Sequence, residues 1–322
     1  MTSTLVAPPL ADLRAARERI RGNALRTPLL RLHAPEFAGE LWVKLECLQP
    51  IGSFKIRGAT NAMKLAPRAT LERGVYTASA GNMAQGVAWC ARELGVPCHV
   101  VVPDHAPATK LAAIERLGAE VIREPFERWW RVLEEHRYAG LDGLFIHPVS
   151  DPAVIAGNGT IALEILEDLA DVDSVLVPFG GGGLSSGIAA GVRALAPRTK
   201  VFACEVETAA PLAAALAAGA PQPSAYTPSF VDGIGGRGVL AEMWPLVSSL
   251  LDGSIVVTLA GIAGAIRLLA ERQRVIAEGA GAASLAAALS GRAPGRRIVC
   301  IVSGGNIDFS TLSRILAGET PS

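Results

Sequence analysis

Lysine is scarce in this 322-residue chain: among 30 basic residues only Lys44, Lys55, Lys64, Lys110 and Lys200 are not arginine. Cysteine is scarcer in use than in number. Cys47, Cys90, Cys98, Cys204 and Cys300 are odd in count and form no C-x-x-C pair, which argues against a disulfide framework or a thiolate zinc site and favours a reducing cytoplasm. An excess of either charge is missing too, because 30 acidic residues cancel the 30 basic ones. With no basic footprint, nucleic acid is not an expected partner. Aromatic residues make up 5%, and Trp129-Trp130 reads as helix packing rather than a base-stacking platform. Alanine-rich stretches such as 211–220 fall short of the roughly 18 apolar residues that a membrane span needs. The first ten residues hold Pro8 and Pro9 and no basic stretch before an apolar core, so no signal peptide and no membrane partner are expected. His33, His99, His105, His136 and His147 show no metal-ligand spacing, and no metal is expected.

Two features carry chemistry. Lys55 lies in Ser53-Phe54-Lys55-Ile56-Arg57-Gly58, and Gly180 to Gly183 form an unbroken glycine run. An aldehyde cofactor is held as a Schiff base by a lysine amine, which attacks only when unprotonated; burial or a nearby cation lowers its pKa. Phe54 and Ile56 supply apolar flanks, and Arg57 is a candidate cation. A phosphate needs converging backbone amides, and glycines permit both close approach and positive φ. Residues 174–179 read as a buried strand and 184–195 as a helix, so the run would place an anion on a helix N-terminus. Pyridoxal phosphate is the cofactor that needs both an amine and a phosphate cradle.

Apolar runs alternate with helical segments. Strands are expected at 75–78, 97–102, 119–123 and 144–146, with helices at 83–94, 106–117 and 126–139. A second series has strands at 175–177, 201–205, 255–258 and 298–302. This βαβ pattern predicts α/β architecture with two parallel-sheet lobes and a ligand at the carboxyl ends of the strands.

The chain resembles the fold-type II pyridoxal-phosphate enzymes, in the threonine/serine dehydratase (ammonia-lyase) branch related to serine racemase. The resemblance rests on Thr27-Pro28-Leu29, Lys44-Leu45-Glu46-Cys47-Leu48-Gln49-Pro50, Gly52 to Ala59, Ser79-Ala80-Gly81-Asn82, Gly180 to Leu184, Val231-Asp232-Gly233, Glu278 to Ala282 and Ser303-Gly304-Gly305-Asn306, in family order. It implies a two-lobe, tryptophan synthase β-like fold, each lobe an open, mostly parallel sheet covered by helices. Residues 1–66 and 147–322 would form the large cofactor-binding domain and 67–146 a small mobile one. No C-terminal regulatory domain is expected beyond Ser310. A homodimer or homotetramer acting on a small amino-acid substrate is implied.

Carried over residue by residue, the resemblance makes Lys55 the Schiff-base lysine and the base that removes the substrate Cα proton. Phe54 would pack near the cofactor ring and Asn82 would bond its 3-oxygen. Ser79, Ala80, Gly81 and Asn82 would form the turn that receives the substrate carboxylate. Gly180, Gly181, Gly182, Gly183, Leu184 and Gly233 would hold the cofactor, with Ser303 at the pyridine nitrogen. Glu278 would face the cofactor or anchor a turn. A neutral hydroxyl at the ring nitrogen makes a weaker electron sink and favours loss of a β-hydroxyl over transamination. The implied activity is elimination of water from threonine, serine or a bulkier analogue such as phenylserine, giving a 2-oxo acid and ammonia; β-replacement or racemisation is the alternative.

Two positions depart from the family. Ala80 stands where serine racemase has the serine that reprotonates the opposite face of Cα, so racemisation is not expected. Met83 replaces the usual histidine; it either lines the substrate side, favouring a bulkier β-substituent, or packs in the first helical turn. Glu205 matches the racemase branch's cation-binding glutamate, but Pro211 aligns with that site's aspartate, which leaves an oxygen-rich cation site incomplete.

Overall fold

Ten strands form among residues 5–322, which the computed structural model describes. In chain order they are β1 (Leu29–Leu32), β2 (Glu40–Lys44), β3 (Val75–Ala78), β4 (Cys98–Pro103), β5 (Glu120–Glu124), β6 (Leu144–Phe145), β7 (Ser174–Pro178), β8 (Lys200–Val206), β9 (Gly253–Val257) and β10 (Arg297–Ile301). They build two sheets. One has six strands in the order β1-β2-β10-β7-β8-β9, and the other has four, β5-β4-β3-β6. All neighbours are parallel except β1 and β2, an antiparallel pair at the edge of the larger sheet. The two-lobe α/β expectation holds, and β1 and β2 are additions to it.

Side chains on successive strand residues face opposite ways, so an apolar run fills two cores at once. Val175, Val177, Val299 and Ile301 pack on one face of the six-stranded sheet, whereas Leu176, Ile298 and Cys300 pack on the other. Helices Pro152–Asp168 and Gly183–Leu195 cover the first face, and Leu259–Leu268 and Gly279–Leu289 the second. A third core belongs to the four-stranded lobe and includes Ile51, Ile56, Ala59 and Met63. The helix Lys55–Leu65 is therefore shared. It packs against Pro152–Asp168 on one side and against Asn82–Leu94 of the smaller lobe on the other.

Glycine sets how closely that helix is seated. A Cβ at Gly157 would lie 2.5 Å from Arg57 O, and one at Gly58 would lie 2.7 Å from a Val154 methyl. These helices touch backbone to backbone. The start of Pro152–Asp168 is fixed by Asp151, whose Oδ1 accepts from Ala153 N (2.7 Å) and Val154 N (3.2 Å), with proline at the first helical position.

Two expected helices are shorter than their sequence pattern. The span expected at 106–117 is regular over Ala108–Glu115, and the one at 126–139 ends at Glu135, where His136 turns left-handed (φ 55°). No helix among the described residues is long and apolar enough to cross a membrane.

Candidate active site

Lys55 opens its helix, and its half-buried amine donates to Pro148 O at 2.8 Å. The Phe54 ring centroid lies 5.1 Å from the same nitrogen. Burial pushes the Lys55 pKa down to about 8, with the Glu278 carboxylate opposing the shift. Arg57 is not the cause, contrary to the expectation from sequence. Its guanidinium turns away from Lys55 and is fully buried, bonding Glu46 through Nε (2.8 Å) and Glu164 through Nη1 (2.6 Å). Lys44 joins this network on Glu164 and also bonds Thr27 O at 2.6 Å. Burial alone would raise the Glu46 carboxyl, but Arg57 and Lys44 together hold it below its ordinary value.

The glycine turn follows β7 and Phe179. Gly182 has φ +100°, where an L side chain is strained, and Ser186 N is the amide that closes the first helical bond, on Gly182 O (2.8 Å). The amides before it have no intrahelical acceptor, the condition that an anion-binding helix N-terminus requires. Leu184 is buried beneath the turn. One strip of chain joins turn and lysine: Val149 would collide with a Cβ at Gly181 (2.6 Å) or Gly183 (2.6 Å), while its neighbour Pro148 accepts from Lys55. A Cβ at Gly180 would meet nothing nearer than Gly233 O at 3.6 Å, so this side of the turn is open, with Gly233 facing it.

Ser79, Ala80 and Gly81 leave the carboxyl end of β3, and Ser79 Oγ accepts from Gly81 N at 3.2 Å. A Cβ at Gly81 would meet nothing within 4 Å. Asn82 starts the next helix; its Nδ2 donates to Glu278 Oε1 (2.8 Å), and its Oδ1 accepts from Asn306 Nδ2 (2.7 Å). Asn306 also donates to Ile51 O at 2.9 Å, which ties this cluster to the segment before Lys55. Asn306 closes the Ser303-Gly304-Gly305-Asn306 block, and only its contacts in the fold give it a role. Ser303 lies just beyond β10, buried, with its carbonyl accepting from Phe54 N at 3.0 Å. Glu278 N donates to Gly304 O (3.0 Å). Burial and the charge of Asp232 push the Glu278 carboxyl up to about 7, against the Asn82 bond.

Met83, Glu205 and two of the histidines take places that the sequence does not specify. Met83 is 1% exposed and sits in the core of the four-stranded lobe, so it packs in the first helical turn instead of lining the substrate side. Glu205 caps the helix Pro211–Ala218, accepting from Leu212 N (2.7 Å) and Ala213 N (2.8 Å) as well as from Ser254. Its oxygens are committed to these donors and not arranged for a cation. The histidines are not all isolated. His136 and His147 stack with centroids 4.5 Å apart, and Glu242 lies 3.1 Å from His136 Nε2. His147 Nδ1 accepts from two amides, which leaves its proton on Nε2 and removes the lone pair that a metal would require.

An amine of lowered pKa, an open glycine turn with free amides, and a second open turn at Gly81 fit pyridoxal phosphate with its amino-acid substrate. The family described as "Pyridoxal-phosphate dependent enzyme" matches residues 20–304. The chain is 38% identical over 316 residues to the L-threonine ammonia-lyase of Thermotoga maritima, covering 95% of this chain and 78% of that protein. It is 38% identical to the catabolic L-threonine dehydratase of Escherichia coli, covering 94% of each. Among solved structures, maize serine racemase superposes with a TM-score of 0.86 at 34% identity, over 97% of this chain and 98% of that one. With a family match spanning most of its length and relatives above 30% identity over nearly the whole chain, the protein belongs to the pyridoxal-phosphate dependent enzymes.

Proposed function

We propose that this enzyme eliminates water from a β-hydroxy amino acid, threonine or serine, releasing a 2-oxo acid and ammonia. The observation that carries this reading is the half-buried Lys55 amine, lowered to about pKa 8 and held on the same strip of chain as the glycine turn. The cofactor, when bound, supplies an electron sink for the pair left at Cα. Lys55 would hold the cofactor through its amine and would take the Cα proton of the substrate. The amides of Gly180, Gly181, Gly182, Gly183 and Leu184 would hold the phosphate. Ser79, Ala80 and Gly81 would receive the substrate carboxylate, Asn82 would orient the ring, and Phe54 and Gly233 would border it. Ser303 would offer a neutral hydroxyl to the ring. Glu278, the carboxyl whose charge acts on Lys55, retains a proton in part of the molecules at neutral pH.

Ala80 supplies no acid on the face of Cα opposite Lys55, which supports elimination over racemisation even though serine racemases are among the relatives. With Met83 withdrawn into the core, nothing favours a bulky β-aryl substituent over methyl or hydrogen. Residues 67–146, which hold the four-stranded sheet, are proposed as the body that moves over the substrate. Five buried free cysteines support a reducing, cytoplasmic setting, and the resemblance supports a homodimer or homotetramer, testable by sedimentation.

The test is 2-oxo-acid and D-amino-acid release by the protein supplied with pyridoxal phosphate and L-threonine, L-serine or L-threo-3-phenylserine. Keto acid is expected from threonine or serine and none from Lys55→Ala. D-serine appearing as fast as pyruvate would replace elimination by racemisation. Activity that survives in Lys55→Ala would remove this lysine from the mechanism.

A further inference from the structure

His147 stands between the two halves of the site and has no part in the chemistry above. It is 2% exposed, two residues beyond β6, and its Nδ1 accepts from Ser150 N at 2.8 Å and Val149 N at 3.1 Å, with Ser150 Oγ at 2.9 Å. A ring nitrogen that gathers donors from residues two and three positions ahead folds the chain into a tight turn. Pro148 and Val149 are the residues inside that turn. Pro148 turns its carbonyl to the Lys55 amine, and Val149 supports the glycine turn, where its side chain and carbonyl lie against Gly181 and Gly183.

We infer that His147 is a positioning residue, whose Nδ1 shapes the 147–150 turn so that the amine of Lys55 and the phosphate cradle keep their spacing. The inference rests on the assignment of those two elements to pyridoxal phosphate. Three properties suit His147 to the task. Burial keeps its imidazole neutral, pushing its pKa down to about 3, so Nδ1 remains an acceptor at any working pH. The stacked ring of His136 limits its rotation. The bonds it receives come from main-chain amides, which a side-chain substitution nearby does not remove. The contribution of the residue to the turn lies on the Nδ1 side, where the amides of Val149 and Ser150 converge.

The experiment compares His147→Leu with His147→Asn, because Asn Oδ1 is an acceptor at the same distance along the side chain as Nδ1. Pyridoxal phosphate affinity is read from the cofactor absorbance of the holoenzyme against free cofactor, and the melting midpoint of each variant is measured after the cofactor has been stripped. His147→Leu is expected to bind the cofactor at least tenfold more weakly, and His147→Asn to return to within about threefold of wild type. If His147→Leu does not fold, His147→Asn decides alone: affinity within threefold supports the role, and a tenfold loss at an unchanged midpoint overturns it. Wild-type affinity in His147→Leu overturns it as well, as does an equal loss in both variants. Lys55→Ala, which loses the absorbance band whatever His147 does, separates failure of this inference from failure of the site assignment.

Discussion

A lysine that must act unprotonated is useful in proportion to how far its pKa has fallen, and Lys55 sits at about 8 where an ordinary lysine sits at 10.5. Roughly one amine in ten is then neutral at pH 7, against fewer than one in a thousand for the ordinary group. The cause is burial, and the carboxylate of Glu278 works against it. Because Glu278 itself titrates at about 7, its opposition fades as the pH falls. The rate at which stripped protein takes up pyridoxal phosphate, followed by the growth of the cofactor absorbance band, is therefore expected to climb severalfold, short of tenfold, between pH 6 and 7 and to level off above 8. A rate still rising tenfold per unit from pH 8 to 10 would mean that the amine is not desolvated. Glu278→Gln removes the opposing charge and should move the plateau to lower pH.

At the scale of elements, the helix that begins with Lys55 is anchored by a charge network with no solvent around it. Arg57 and Lys44 face Glu46 and Glu164, two charges of each sign, drawn from that helix, β2, the turn after β2 and the helix Pro152–Asp168. Removing one member leaves an uncompensated buried charge, which costs about 3–5 kcal/mol. Arg57→Met is expected to lose that much in urea unfolding, and Arg57→Lys to recover only part, since an ammonium cannot bond both carboxylates with a planar fork. A loss below about 1 kcal/mol would show that water reaches the network. None of this was legible in the sequence, where Arg57 looked like a partner for the lysine two residues away. Its actual partners are 11 and 107 positions distant. The same limit hid β1 and β2: Leu-Leu-Arg-Leu has no alternation, and Glu40–Lys44 becomes a strand by lying beside β10 from the far end of the chain. What was legible depended on local rules. The apolar run of β7 followed by glycines and a helix announces itself within a short window, as does the strand–turn–helix at Ser79 to Asn82. The place of Met83 was left open between two readings, and that of His147 undefined, because burial is a tertiary property and a histidine gives no sign in sequence of which backbone amides it will meet.

At the scale of the molecule, the two lobes meet across the mouth of the cleft through contacts unlike those of the core. Lys110 pairs with Asp232, Thr109 Oγ1 lies 3.4 Å from Asp308, His136 bonds Glu242, and Arg237 stacks 5.3 Å from the Phe126 ring centroid. Each joins the four-stranded lobe to the larger one, and each is open to water. Lys110 and Asp232 line a cavity of about 360 Å³ whose inner wall includes Glu278 and Asn306, the residues bonded to Asn82. Exposed ion pairs contribute about 0–1 kcal/mol to stability and are screened by salt. A pair of that strength cannot decide whether the protein folds, yet it can shift the balance between an open and a closed cleft by severalfold. Asp232→Asn is accordingly expected to leave the melting midpoint nearly unchanged and to raise KM for the amino-acid substrate severalfold at low ionic strength. Because the cause is one charge pair, about 1 M salt should raise the wild-type KM toward that of the variant while leaving the variant's own value much less affected. Steady-state kinetics at the two ionic strengths check this. A KM equal in wild type and Asp232→Asn at both would show that the lobes close without help from this pair, and would place the closing force in the bound substrate itself.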